Sequence, residues 1–206
     1  MSAPEFNPIL LDLPDHIDTE RLHLRAPRPG DGAVVNASVL ETLDDLRRFP
    51  SSMSWALTEQ TVATSEEYCR RSAAGWLLRD SFPFLAFERA ADGAIGRHVV
   101  NCGIHRFSWK ERVFEIGWWC PRSAQGNGYA SEAARALIAF AFEHLGARRV
   151  WAGADDANVK SWRVAERAGM THEGTLRSER ADPDGTRRDM RIYAVAGDRR
   201  SVIRDP

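Results

Sequence analysis

Leu22 and Leu24 alternate with polar neighbours across residues 17–26, a period of two that predicts a first strand, stopped by the turn residues of Pro27-Arg28-Pro29-Gly30-Asp31-Gly32. Helical spacing follows over 33–46. Residues 47–58 hold Pro50 and three serines and read as irregular, and helical character resumes over 59–79, with Tyr68, Ala73, Trp76 and Leu77 as its candidate buried positions. Residues 82–88, 99–105 and 113–120 read as three strands of an antiparallel meander, the first two parted by Ala91-Asp92-Gly93. Over 131–145 the apolar positions Ala134, Leu137, Ile138, Ala141 and Leu145 share one helix face, and Gly146 supplies a left-handed stop. The strand predicted over 148–154 follows that helix, so a parallel β-α-β crossover is the economical connection. Asn158 caps a short helix ending at Gly169, and 190–195 forms a last strand beyond the Asp184-Gly185 turn.

The loop Gln125-Gly126-Asn127-Gly128-Tyr129-Ala130, between a strand and a helix, adds chemistry to this pattern. Two glycines two residues apart let the chain turn with its N–H groups inward, and the following helix, opening at Ser131, contributes the positive end of its dipole. An anion, most naturally a phosphate-bearing ligand, fits such a loop. A dinucleotide-binding fingerprint starts similarly, but Ser131 stands where its third glycine belongs. Several residues also separate strand from loop, and the motif comes late in the chain. No Gly-Lys-Ser/Thr follows, which removes a P-loop.

Composition narrows the choice. A chain of 206 residues, 43% hydrophobic, suits one domain; 28 basic residues nearly balance 29 acidic ones, so no nucleic-acid partner is expected. Residues 1–18 lack a basic leader and a long apolar stretch, and no apolar run is long enough to span a bilayer. The expectation is a cytoplasmic protein with no membrane partner. Three cysteines without a close pair argue against a disulfide framework, and six histidines without helical i, i+4 spacing argue for no metal.

The loop, together with Asn158-Val-Lys-Ser161-Trp-Arg-Val164-Ala-Glu166-Arg-Ala-Gly169-Met170 about thirty residues later, resembles the GNAT superfamily of acyl-CoA-dependent N-acyltransferases, and within it the RimJ/RimL-like branch. Thr19-Glu20-Arg21-Leu22-His23-Leu24-Arg25, Glu115-Ile116-Gly117-Trp118-Trp119 and Asp184-Gly185 with Arg188-Asp189 extend the likeness over residues 18–196. The resemblance implies an α/β (α+β) fold: a mixed, mostly antiparallel twisted sheet of six to seven strands, helices on both faces, and a splayed parallel strand pair. It divides the chain into an arm (1–17), one acyltransferase domain (18–196) and a tail (197–206).

It also implies an N-acetyltransferase that moves the acetyl group of acetyl-CoA to a primary amine, a protein N-terminal α-amine or a small-molecule amine, by direct attack in a ternary complex. A homodimer is compatible with it. Gln125, Gly126, Asn127, Gly128, Tyr129, Ala130 and Ser131 would hold the pyrophosphate. Backbone groups of Trp118, Trp119 and Cys120 would pair with pantetheine, and those near Trp118 would receive the thioester oxygen. Residues 118–120 and 149–152 would be the splayed strands. Asn158 would both cap its helix and bond the co-substrate.

An amine with a pKa near 10 costs about 4 kcal/mol to deprotonate at pH 7, so a base is worth having. The family's glutamate position in the central strand is Glu115; the plain alternative is a structural strand carboxylate. The superfamily's tyrosine acid is absent, its position being Ala165, and the branch's serine at Ser161 can take its place at the leaving thiolate. As a thiolate is already a fair leaving group, that help is modest; the alternative is an ordinary first-turn serine. Trp118, Trp119 and Trp162 offer an aromatic acceptor pocket or simple core anchors, and Arg47-Arg48-Phe49 lies where relatives shape the acceptor site. Two other readings share these residues: an idle acyl-CoA-binding sensor module, and transfer of another acyl group such as succinyl.

Overall fold

The alternation at Leu22 and Leu24 belongs to a hairpin where the sequence suggested one strand. In the computed structural model, which describes residues 6–197, β1 (His16–Asp18) turns back through Thr19 into β2 (Leu22–Arg25), with Asp18 opposite His23. The Thr19 N–H donates to the Leu22 carbonyl (2.9 Å) and closes the turn. Parts of the expected arm and tail, residues 1–5 and 198–206, lie outside the described residues.

Helices α1 (Gly32–Arg47) and α2 (Val62–Leu78) follow, joined by an irregular segment with a short 3-10 turn at Ser54–Leu57. Thr61 and Thr64 bond reciprocally at the start of α2 and satisfy two otherwise orphan N–H groups. The buried stripe of α2 is Ser65, Cys69, Ser72 and Trp76; Leu77, expected inside, is 76% exposed because it lies one residue off that stripe.

Strands β3 (Phe82–Arg89), β4 (Ile95–Ser108) and β5 (Val113–Trp119) form the antiparallel meander read from the sequence. Helix α3 (Tyr129–His144) then returns the chain to β6 (Arg149–Asp155), parallel to β5. Gly146, at φ 64°, is the left-handed stop. After α4 (Val159–Arg167), β7 (Thr171–Ala181) and β8 (Arg187–Ala196) make the closing hairpin, with β8 placed between β6 and β7.

The result is one mixed, mostly antiparallel sheet in the order β1-β2-β3-β4-β5-β6-β8-β7, eight strands where the pattern suggested six to seven. The additions are β1 and β7. Strand β7 sits at the sheet edge, exposed along nearly its whole length, and its polar sequence carries no inward-facing apolar set to betray it.

Alternation along β5 defines the two faces. Phe114 and Ile116 join Leu137, Phe140 and Ala141 of α3 in the main core, against which Trp118 packs. Trp119 packs instead with Val35 and Val39 of α1, Cys69 of α2, Leu85 and Phe87. Glu115, Gly117 and Trp119 therefore share the α1–α2 side.

Candidate active site

The parallel pair is joined at only three register positions, Val113 with Arg149, Phe114 with Val150 and Glu115 with Trp151. Beyond them both strands continue, β5 still paired with β4 as far as Trp119 and β6 with β8 as far as Asp155. No ladder pair joins residues 116–119 to 152–155, so a cleft opens in the middle of the sheet. The expected pair is there, but its open half on β6 begins only at Ala152; Arg149, Val150 and Trp151 are held in the closed half.

At the open end, Gly126 (φ 82°) and Gly128 (φ 80°) both adopt the left-handed conformation that favours glycine. Gly128 is the N-cap of α3 and offers no side-chain cap, so the first-turn N–H groups of Tyr129 and Ser131 are not capped by it, while that of Ala130 acts on the Cys120 thiol. Side chains brace the loop from outside. Asn127 donates to the carbonyls of Ala124 (3.3 Å) and Gln125 (3.2 Å), and its own carbonyl accepts from Arg21 (3.1 Å). Glu132 anchors the same helical turn, accepting from the Thr19 hydroxyl (2.5 Å), the Arg21 N–H (3.0 Å) and Arg21 Nε (2.8 Å). Tyr129 turns its ring outward, its hydroxyl donating to Glu88 (3.0 Å), so it offers the loop only main chain.

Gln125 lies across the loop from α4, its Oε1 accepting from Lys160 Nζ (3.2 Å). Asn158 is the cap expected of it, its Oδ1 accepting from the Ser161 N–H (3.1 Å). Ser161 lines the cleft beside it. Lys160, Arg163 and Arg167 line the same end and give it a positive rim. These three escaped the sequence reading; their one signal was a basic residue recurring at three- and four-residue steps along a helix next to an anion loop. Cys120 also lines the cleft, but burial pushes its thiol up to about 12, against the opposing effect of the Ala130 N–H, so it is no ready nucleophile.

The other face holds the acid–base candidates. Glu115 is 3% exposed; its Oε1 accepts from Arg106 Nη2 (2.8 Å) and lies 3.7 Å from His105 Nε2. Its Oε2 has no hydrogen-bond partner among the described residues. A buried carboxylate oxygen left open in this way wants a proton donor, which an ammonium group or a water can be. The neighbours are placed by backbone irregularity: Arg106 sits at φ 44° where β4 slips register against β5. Gly117 makes room for His105, because a Cβ there would lie 2.7 Å from the imidazole Cε1.

Around Glu115 the wall is built from distant segments. Trp119 meets Trp55 with ring centroids 6.1 Å apart, and Tyr68 donates its hydroxyl to Asn101 (3.2 Å). The Ser51 N–H donates to Asp182 Oδ1 (3.0 Å) and Arg180 Nη1 to Ser52 Oγ (3.3 Å), tying the α1–α2 segment to the β7–β8 hairpin, with Ser52 and Arg180 lining the cleft. Arg48 and Phe49 line this side, whereas Arg47 turns away to the Ala56 carbonyl (2.9 Å). Of the tryptophans, Trp118 faces the α3 side with its indole N–H buried and unpartnered, and Trp162 lies under Arg191 (4.4 Å) outside the cleft. Trp55, Tyr68, His105, Arg106 and Arg180 are thus site residues that no local pattern announced.

Comparison with known proteins agrees with this geometry. The sequence profile described as an acetyltransferase (GNAT) domain matches residues 21–171. The uncharacterized N-acetyltransferase YoaA of Bacillus subtilis is 31% identical over 179 residues, 87% of this chain and 95% of its own. YnaD, another uncharacterized N-acetyltransferase of that organism, is 39% identical over 95 residues, 46% of this chain and 52% of the relative; the match thus spans about half of that relative's length. Among solved structures, RimL, the ribosomal L7/L12 alpha-N-protein acetyltransferase in complex with coenzyme A, superimposes with a TM-score of 0.76 at 20% identity, over 86% of this chain and 95% of that one. With an opened parallel pair beside a glycine-turned helix start, and a profile match across most of its length, the chain belongs to the GNAT acetyltransferase family.

Proposed function

We propose that this chain is an N-acetyltransferase that carries the acetyl group of acetyl-CoA to a primary amine, with residues 18–196 as a single catalytic unit. The observation that carries the reading is the combination of a cleft between β5 and β6 with an uncapped helix start at its open end. A strand-like pantetheine suits the unpaired edges, and a pyrophosphate suits the amides of residues 125–131 with the Lys160, Arg163 and Arg167 rim. Asn158, at the head of α4, faces the same passage. No helix among the described residues is long and apolar enough to cross a membrane.

Chemistry then falls to the two ends of the closed half. The amine nitrogen attacks the thioester carbon, and N–H groups near Trp118 receive the oxyanion. Glu115 takes the proton that the attacking nitrogen must lose, through its open Oε2, directly or through one water. Collapse expels the CoA thiolate, which the Ser161 hydroxyl steadies with a hydrogen bond while a proton from solvent completes the thiol. The acceptor is a protein N-terminal α-amine or a small-molecule amine, approaching from the α1–α2 side past Trp55 and Trp119. Free-thiol release measured with acetyl-CoA and succinyl-CoA, against N-terminal peptides, polyamines and aminoglycosides, tests the reading. Release with acetyl-CoA and at least one amine is expected; no release with any amine, together with no thermal stabilisation by acetyl-CoA, defeats it.

A further inference from the structure

The histidine spacing that discouraged a metal was judged on helices, yet the hairpin at the start of the sheet brings three metal-binding side chains together. Asp18 and His23 are direct register partners across β1 and β2, and His16, two residues before Asp18, lies on the same face by the period of two. His23 Nδ1 is 2.7 Å from Asp18 Oδ1, His16 Nε2 is 3.9 Å from Asp18 Oδ2, and one ligand atom from each of the three lies within 4.8 Å of the others. The two imidazoles stand with centroids 5.1 Å apart.

A second carboxylate prepares one of these rings. Asp15 Oδ1 lies 2.6 Å from His16 Nδ1, which takes the proton on that nitrogen and presents the Nε2 lone pair toward Asp18. Carboxylate–histidine pairs of this kind are the usual outer support of a metal-bound imidazole. We propose that His16, Asp18 and His23 bind one divalent transition-metal ion of the Zn2+ type, with Asp15 orienting His16 and water completing the shell. Imidazole with a single carboxylate suits such ions over Mg2+ or Ca2+, which take oxygen ligands. Ligand atoms about 2.0–2.2 Å from zinc stand about 3.3 Å apart, so His16 must close on Asp18 from 3.9 Å, while the 2.7 Å contact of His23 Nδ1 with Asp18 opens and gives up the hydrogen that makes it. The half-exposed His16 side chain is free to make that move. Arg89 Nε, 3.5 Å from Asp18 Oδ2, competes for the same carboxylate and would be released. The bound ion would pin β1 to β2, apart from the acyl cleft.

Untagged full chain titrated with ZnCl2 in a calorimeter, with MgCl2 as the comparison, tests this. One zinc per chain and no magnesium heat are expected. His16→Ala and His23→Ala should each weaken zinc binding by about tenfold or more, and Asp15→Asn by about tenfold, whereas Arg89→Ala should tighten it. In histidine-detected NMR of the wild type, zinc should move the His16 and His23 ring signals and leave His98 in place, a readout that needs no variant to fold. Zinc uptake unchanged in the doubly substituted His16→Ala/His23→Ala chain, no stoichiometric uptake by the wild type, or perturbation of other histidines instead would overturn the proposal.

Discussion

The two faces of β5 present the cleft with different materials. On the α3 side the surroundings are main chain: strand edges without ladder partners, two left-handed glycines and the bare first turn of a helix. On the α1–α2 side they are side chains, Glu115 with Arg106 and His105, Trp119 with Trp55, Tyr68 with Asn101, drawn from four separate stretches of sequence. A site made of amides depends on backbone conformation and tolerates exchange of most side chains. A site made of ion pairs and rings loses its function one substitution at a time.

The sharpest way to break this contrast is Glu115→Gln. Removing the proposed base should lower kcat by about 10²–10⁴-fold while leaving acetyl-CoA affinity, measured by calorimetry, unchanged; a parallel loss of affinity would mean that the two faces are not separable. Acid probes the same side by another route. His98, on β4, packs against α1 with its Nδ1 2.8 Å from the Ser38 hydroxyl, and burial lowers it from 6.5 to about 4 against the opposing effect of a hydrogen bond to the Val100 backbone. The unfolded chain binds a proton below pH 6.5 that the folded chain refuses. Stability is therefore full above that pH and falls by about 3 kcal/mol on the way down to pH 4. Urea denaturation at the two pH values should show this loss in the wild type and a smaller one in His98→Phe.

On the amide side the expected effects are smaller. Gly128→Val places a branched side chain at φ 80°. At a cost of about 1–2 kcal/mol, it should weaken acetyl-CoA binding roughly tenfold, with kcat at saturation nearly intact. Smallest is Ser161→Ala, which should cost only about two- to threefold in kcat because the thiolate already leaves well; a hundredfold loss would make Ser161 an essential acid.

That division also explains which features could be read from the residues alone. Gly126, Gly128 and the alanine-rich helix after them announce the anion loop because a backbone site needs particular residues at fixed local spacing. Asn158 and Gly169 mark the ends of α4 for the same reason. The opposite face is assembled by tertiary packing: Trp55 meets Trp119, and Arg180 meets Ser52, across spans of chain that no periodicity encodes. Leu77 looked buried by type and proved exposed because helical phase, not hydrophobicity, chooses the inward residue. Strand β7 was missed for the reverse reason, since an edge strand exposed on both faces is free of the apolar alternation that marks its neighbours.

The bridge between Ser51 and Asp182, reinforced by Ser52 and Arg180, fastens the α1–α2 segment to the β7–β8 hairpin across a sequence separation of 131 residues. Two stretches so distant in the chain are kept at one spacing by these contacts, so loosening either one sets the other adrift.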